Sequence, residues 1–99
     1  MNEAFSKKLL NRMYVQNLTS NNSKRFNYYK NAIEKQAINK ASKGESISEN
    51  VFWDLCKDDK IIYLLNVHFT KLGLTFHSKQ ELVIDEIKTT MRLSGWDFE

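Results

Sequence analysis

Cys56, His68 and His77 are the only cysteine and histidines in the 99-residue chain, and any case for a metal ion or a thiol nucleophile rests on them. They stand twelve and nine residues apart, which matches no Cys/His spacing of a zinc site. A thiol and base acting together would need the fold to bring them within hydrogen-bond reach. Cys56 reads instead as a small buried hydrophobe. A second group, Glu49, Asp54, Asp58, Asp59 and Lys60, has the composition of an acidic nuclease centre without its strand context or spacing. Carboxylates at such a junction normally cap helices or face solvent. Gly44, Gly73 and Gly95 are isolated, so there is no glycine-rich loop to cradle a phosphate. No catalytic residue, metal or cofactor is therefore expected, and the chain reads as non-enzymatic.

Binding chemistry is better represented. Residues 1–48 hold nine Lys/Arg against Glu3, Glu34 and Glu45, a net +6, while residues 49–99 hold six against nine, a net −3. A basic half attracts phosphate backbones, anionic lipid or an acidic protein surface; it can also simply complement the other half within the fold. On a helix through residues 23–43, Lys24, Tyr28, Asn31, Lys35, Asn39 and Ser42 recur every three or four residues, opposite Phe26, Tyr29, Ile33 and Ala37. Such a stripe offers cations for phosphates and an aromatic ring and amides for bases. Arg25 and Lys30, with Lys7, Lys8 and Arg12 from the preceding segment, would widen it if the first two helices lay side by side.

The elements that carry these residues read as helices. Phe5, Leu9 and Met13, with Leu10, Tyr14 and Leu18, fall at four-residue steps and predict a helix over about 3–18 with Asn2 as its cap. Thr19 to Ser23 is a polar run expected to be a loop, with Ser23 capping the second helix and Gly44 stopping it. Ser46 and Glu49, and again Ser78 and Glu81, have capping-box spacing and predict two further helices, the last facing inward through Val83, Ile84, Ile87 and Met91 and ending at Gly95. Between them, Ile61, Leu64, Leu65, His68, Phe69 and Leu72 share a helical face that Gly73 would terminate; at residues 57–60 the preceding helix either ends, with an Asp capping this one, or continues through a polar turn facing solvent. The same stretch also alternates as a hairpin would. Residues 69–84 can be read as a helix-turn-helix, but Glu81, Asp85 and Glu86 give its second helix the wrong charge for DNA. Phe52, Leu55, Ile61, Leu65, Ile84 and Ile87 are the expected core, and Trp96 and Phe98 are expected to dock on it.

Length and composition suit one domain spanning residues 1–99, with 41% hydrophobic and 27% charged residues. No run reaches the roughly 18 apolar residues of a membrane span, and no secretory signal pattern is present, so a cytoplasmic protein is expected. The fold expected is all-α, a compact bundle of four to five short helices, with an α+β fold carrying a hairpin at about residues 65–77 as the rival. The function expected is a small binding or regulatory domain, engaging nucleic acid through its basic half. The alternative is a protein-interaction or inhibitor module, of the kind a mobile element encodes against a host protein, with an acidic protein surface as partner.

Overall fold

The computed structural model describes residues 5–97. Within them the chain forms three helices and one antiparallel sheet: α1 (Lys7–Asn21), α2 (Ser23–Ser42), β1 (Ile47–Phe52), α3 (Lys60–Lys71), β2 (Thr75–Val83) and β3 (Glu86–Ser94). The strand order is β1-β3-β2. The fold is thus α+β, not an all-α bundle of four to five helices. The hairpin that makes it so lies at Thr75–Ser94 rather than at residues 65–77, and the stretch from Lys60 to Lys71 is helical.

Two expected helices are strands, for reasons visible in their side chains. In β3, Thr89, Met91 and Leu93 are buried and alternate with Lys88, Thr90 and Arg92, a period of two that a helical count of Ile84, Ile87 and Met91 overlooks. Ser78 and Glu81, despite their capping-box spacing, lie in mid-strand, and the helix-turn-helix reading falls with them. Ser46 and Glu49 likewise cap nothing. Glu49 projects from β1 and accepts a 2.8 Å bond from Arg92 Nε. β1 also inverts the usual pattern: Ser48 is buried while Ile47 and Val51 are exposed, so polarity gives no strand signal there.

The turn between β2 and β3 carries no recognisable sequence either. Ile84 and Asp85 adopt φ of 47° and 65°, a primed two-residue turn normally built from Asn-Gly. A β-branched residue in this left-handed region costs on the order of 1–2 kcal/mol. Ile84, expected in the core, is 92% exposed at this tip.

The core lies between the sheet's inner face and two helices. It gathers Phe26, Tyr29 and Ile33 from α2, Ile61, Leu64, Leu65 and Phe69 from α3, and Phe76, Met91 and Leu93 from the sheet, with Leu55 from the connecting loop. Phe52 packs against this cluster from its margin, as does Trp96, whose indole N–H donates to the Glu45 carbonyl at 3.0 Å. Phe98 lies outside the described residues.

The helix stops follow the sequence closely. Both α2 and α3 end in Schellman motifs: Glu45 N–H reaches the Lys40 carbonyl and Leu74 N–H the Phe69 carbonyl, at 3.0 and 3.1 Å. Gly44 and Gly73 supply the required positive φ, 78° and 81°. Gly95, expected to stop a helix, instead follows β3. The helix starts differ more. Ser6 caps α1 by accepting from Leu9 N–H; the expected cap, Asn2, lies outside the described residues. α1 then runs through the expected 19–23 loop to Asn21. Thr19 and Ser20 hydroxyls and the Asn22 amide donate back to carbonyls four residues earlier, satisfying the last turn instead of opening it. Only Asn22 separates α1 from α2.

Candidate functional site

The amphipathic spacing of α2 places its apolar face on β1 and α3 and turns the opposite face to solvent. Lys24, Tyr28, Asn31 and Lys35 are all exposed there, as expected, with Asn39 and Ser42 continuing the line. Tyr28 is 63% exposed yet held: its ring meets Tyr29 edge-on at a centroid distance of 5.0 Å. Tyr29 in turn stands edge-on to Phe52 at 4.9 Å and donates its hydroxyl to Asp54 Oδ2 at 2.7 Å. Burial first, and the bond to Asp54 second, push the Tyr29 hydroxyl up to about 12. Tyr28 thus stands at the outer end of a chain of ring contacts that runs through Tyr29 to Phe52. Ile38, 70% exposed, sits on the same line and was not singled out in the sequence because a lone surface isoleucine carries no chemistry.

Neither Lys24 nor Lys35 forms an ion pair among the described residues. Arg25 is different. Its guanidinium binds Asp59 at 2.7 Å, so the fold holds it. Burial raises the Asp59 carboxyl, but bonds from Arg25, Ile61 N–H and Cys56 outweigh it and hold the group below its ordinary value. Asp59 also caps α3 through Ile61 N–H at 3.0 Å. It is the Asp of the 57–60 turn that the sequence offered for that role.

Lys7, Lys8 and Arg12 lie on α1 and are exposed. That helix leans on α3, through a 2.8 Å bond between Asn11 and the Tyr63 hydroxyl and a tilted Tyr14–Tyr63 ring contact. Lys7 and Lys8 sit at the end of α1 farthest from its joint with α2. The structure therefore unites Lys24, Tyr28, Asn31 and Lys35 on one helix face, but places the α1 cations on a separate element.

The residues considered for catalysis are dispersed. Cys56 is exposed, not buried, and its thiol donates to Asp59 Oδ2 at 3.3 Å. That bond to the carboxylate raises the thiol above its ordinary value, the opposite of what activates a nucleophile. His68 stands edge-on to Phe26 and Phe69, with its Nε2 3.8 Å from Glu34. His77 is opposite Arg92 on the outer face of the sheet. The carboxylates serve the fold: Glu49 binds Arg92, Asp54 binds Tyr29 and Asp59 caps α3. No cluster of three His, Cys, Asp or Glu fit for a metal ion occurs among the described residues. None of their helices is long and apolar enough to cross a membrane.

Comparison with protein-family models, curated proteins and solved structures finds no match to the chain.

A second surface had no counterpart in the residue pattern. An open groove of about 830 Å³ runs between α3 and β2, walled by Ile62, Tyr63 and Asn66 on one side and Phe76, Ser78 and Leu82 on the other. A segment taken for a helix could not disclose a groove beside a strand.

Proposed function

We propose that the chain is a non-enzymatic binding domain that engages a nucleic acid through the exposed face of α2. The observation that carries this reading is the charge of the two N-terminal helices. Residues 7–43 hold nine Lys/Arg against one carboxylate, Glu34, and that carboxylate faces His68. The stripe itself presents Lys24 and Lys35 with no acid between them, and a held Tyr28 ring at its centre. Eleven residues at a rise of about 1.5 Å set the two lysines roughly 16 Å apart along the helix, so they reach separated rather than adjacent phosphates, and the Tyr28 ring between them can stack on a base. Arg25 contributes less, because leaving Asp59 would deprive a buried carboxylate of its counter-charge.

Salt dependence is the test. Replacing Lys24 and Lys35 with Gln should weaken binding to all sequences alike and flatten the salt slope by about 0.9 for each duplex phosphate that is no longer neutralised. Tyr28→Ala should cost roughly 1–3 kcal/mol on single strands and less on duplex. Lys57→Gln with Lys71→Gln, on the other half, is the matched control and should leave affinity almost unchanged. No measurable affinity for DNA or RNA at low salt would end this reading. Ile38 beside Lys35 favours a second reading, an acidic protein surface with an apolar centre, whose affinity would fall less steeply with salt.

A further inference from the structure

β2 is an edge strand, since the order β1-β3-β2 leaves one of its sides without a neighbouring strand. The 56–58 loop reaches it through the Gln80 side chain, which accepts from Asp58 N–H and donates to the Cys56 carbonyl, both at 2.8 Å. Its two-residue turn makes Val83 and Glu86 the first hydrogen-bonded pair, so Thr75, His77, Lys79, Glu81 and Val83 exchange backbone bonds with β3. The N–H and C=O groups of Phe76, Ser78, Gln80 and Leu82 therefore point away from the sheet, and no other element among the described residues bonds them. A free edge of this length is a template for another strand. The groove along α3 lies directly beside it, and Leu82 and Ile84, 75% and 92% exposed, stand at the end of the same hairpin.

We propose that this edge pairs with β2 of a second copy of the chain, antiparallel, about a two-fold axis at Gln80, joining two three-stranded sheets into one of six strands. The charges along β2 select the register. On the outer face of the sheet the strand carries Lys79 and Glu81. A two-fold at Lys79 or at Glu81 sets like charges directly opposite, which destabilises a strand pair. A two-fold at Ser78 leaves Glu81 facing Thr75. Within one copy Lys79 already stands 3.8 Å from Glu81. Centred on Gln80, each Lys79 also faces the Glu81 of the other copy, so the four charges alternate in sign around the two-fold, which no other register achieves. The backbone agrees with this choice, because Gln80 then exchanges bonds with its own counterpart and Ser78 with the second copy's Leu82. All of these residues have outward N–H and C=O groups.

The inner face agrees as well. Partners across an antiparallel pair project to the same side, so the second copy's Leu82 stands opposite Ser78 at the mouth of the groove. There Ile62 and Tyr63 offer it apolar surface. The other edge, β1, is shorter, and pairing about its central outward residue, Glu49, would set two glutamates opposite.

Sedimentation velocity over a concentration series tests the pairing. The unmodified protein should show a monomer–dimer equilibrium. Lys79→Glu and Glu81→Lys should each weaken it at least about tenfold, since each converts two attractions into two repulsions. An equimolar mixture of the two variants should form a heterodimer, and the double variant carrying both changes should dimerise as the unmodified protein does. Circular dichroism should find every variant folded. Were a charge variant to unfold, Ser78→Pro replaces it, as it removes one outward N–H and no bond to β3. The proposal is overturned by a protein that stays monomeric at every concentration, by single variants that dimerise undiminished, or by a mixture that fails to recover the dimer. None of these outcomes depends on whether α2 binds nucleic acid.

Discussion

Helices α1 and α2 are consecutive, joined at a single residue, and alike in sequence: both are basic, with apolar residues at helical spacing. Yet α2 buries Phe26, Tyr29 and Ile33, whereas α1 fully buries none of its residues. Leu10, Met13 and Tyr14 of α1 remain about half exposed, and only Val15 and Leu18 touch the core's margin. Periodicity tells a helix which side is apolar. It does not tell it that a sheet will be there to cover that side. α2 lies across β1 and α3 and becomes part of the scaffold; α1 is attached to it from outside.

Core truncation separates the two helices most strongly. Ile33→Ala, at a position 1% exposed, should cost roughly 2–5 kcal/mol in the denaturant midpoint, while Val15→Ala should cost less than about 1 kcal/mol. Equal losses would show that α1 is as integral to the core as α2.

A smaller effect concerns how α2 is tied down. Asp59→Asn keeps a side chain able to cap α3 but removes the charge that Arg25 binds, and should cost about 1 kcal/mol at neutral pH, discounted for the half-exposed guanidinium. Because the folded state holds the Asp59 carboxyl below its ordinary value, its contribution is complete above the unfolded value and is lost as pH falls through the folded one. The gap between variant and unmodified protein should therefore close on acidification in urea titrations. A gap that persists would mean that the carboxylate's charge is not what holds Arg25.

The smallest effect falls on α1. Asn11→Ala removes the exposed bond to Tyr63 and should cost about 0.5 kcal/mol globally. Hydrogen exchange should register the change in α1 amides and leave those of α2 untouched. Faster exchange in both helices would mean that they open as one unit.

How much of this was legible in the sequence differs element by element. Gly44 and Gly73 marked two helix ends because a left-handed stop needs a particular residue, and Phe26, Tyr29 and Ile33 marked the buried face of α2 because three residues at helical spacing point one way. The stripe of Lys24, Tyr28, Asn31 and Lys35 followed from the same geometry. The sheet did not follow. β1 buries Ser48 and exposes Val51, β3's alternation overlaps a helical count, and the turn between β2 and β3 uses Ile84 where glycine or asparagine would have announced it. Ser46 and Ser78, each three residues before a glutamate, met the local rule for a helix start, and tertiary pairing overrode it. With the strands hidden, the edge of β2 and the groove beside α3 were hidden too.

The single-residue joint at Asn22 has a mechanical consequence. Fifteen residues at a rise of about 1.5 Å make α1 a rod of roughly 22 Å, hinged at one end. A turn of about ten degrees in the Asn22 backbone sweeps the far end, with Lys7 and Lys8, through roughly 4 Å, more than the axial step of about 3.4 Å between charges along one strand of a duplex. Leverage of that kind makes the Asn22 amide's 2.9 Å bond to the Leu18 carbonyl, the Asn11 bond to Tyr63 and the Tyr14–Tyr63 ring contact part of what sets where those charges stand.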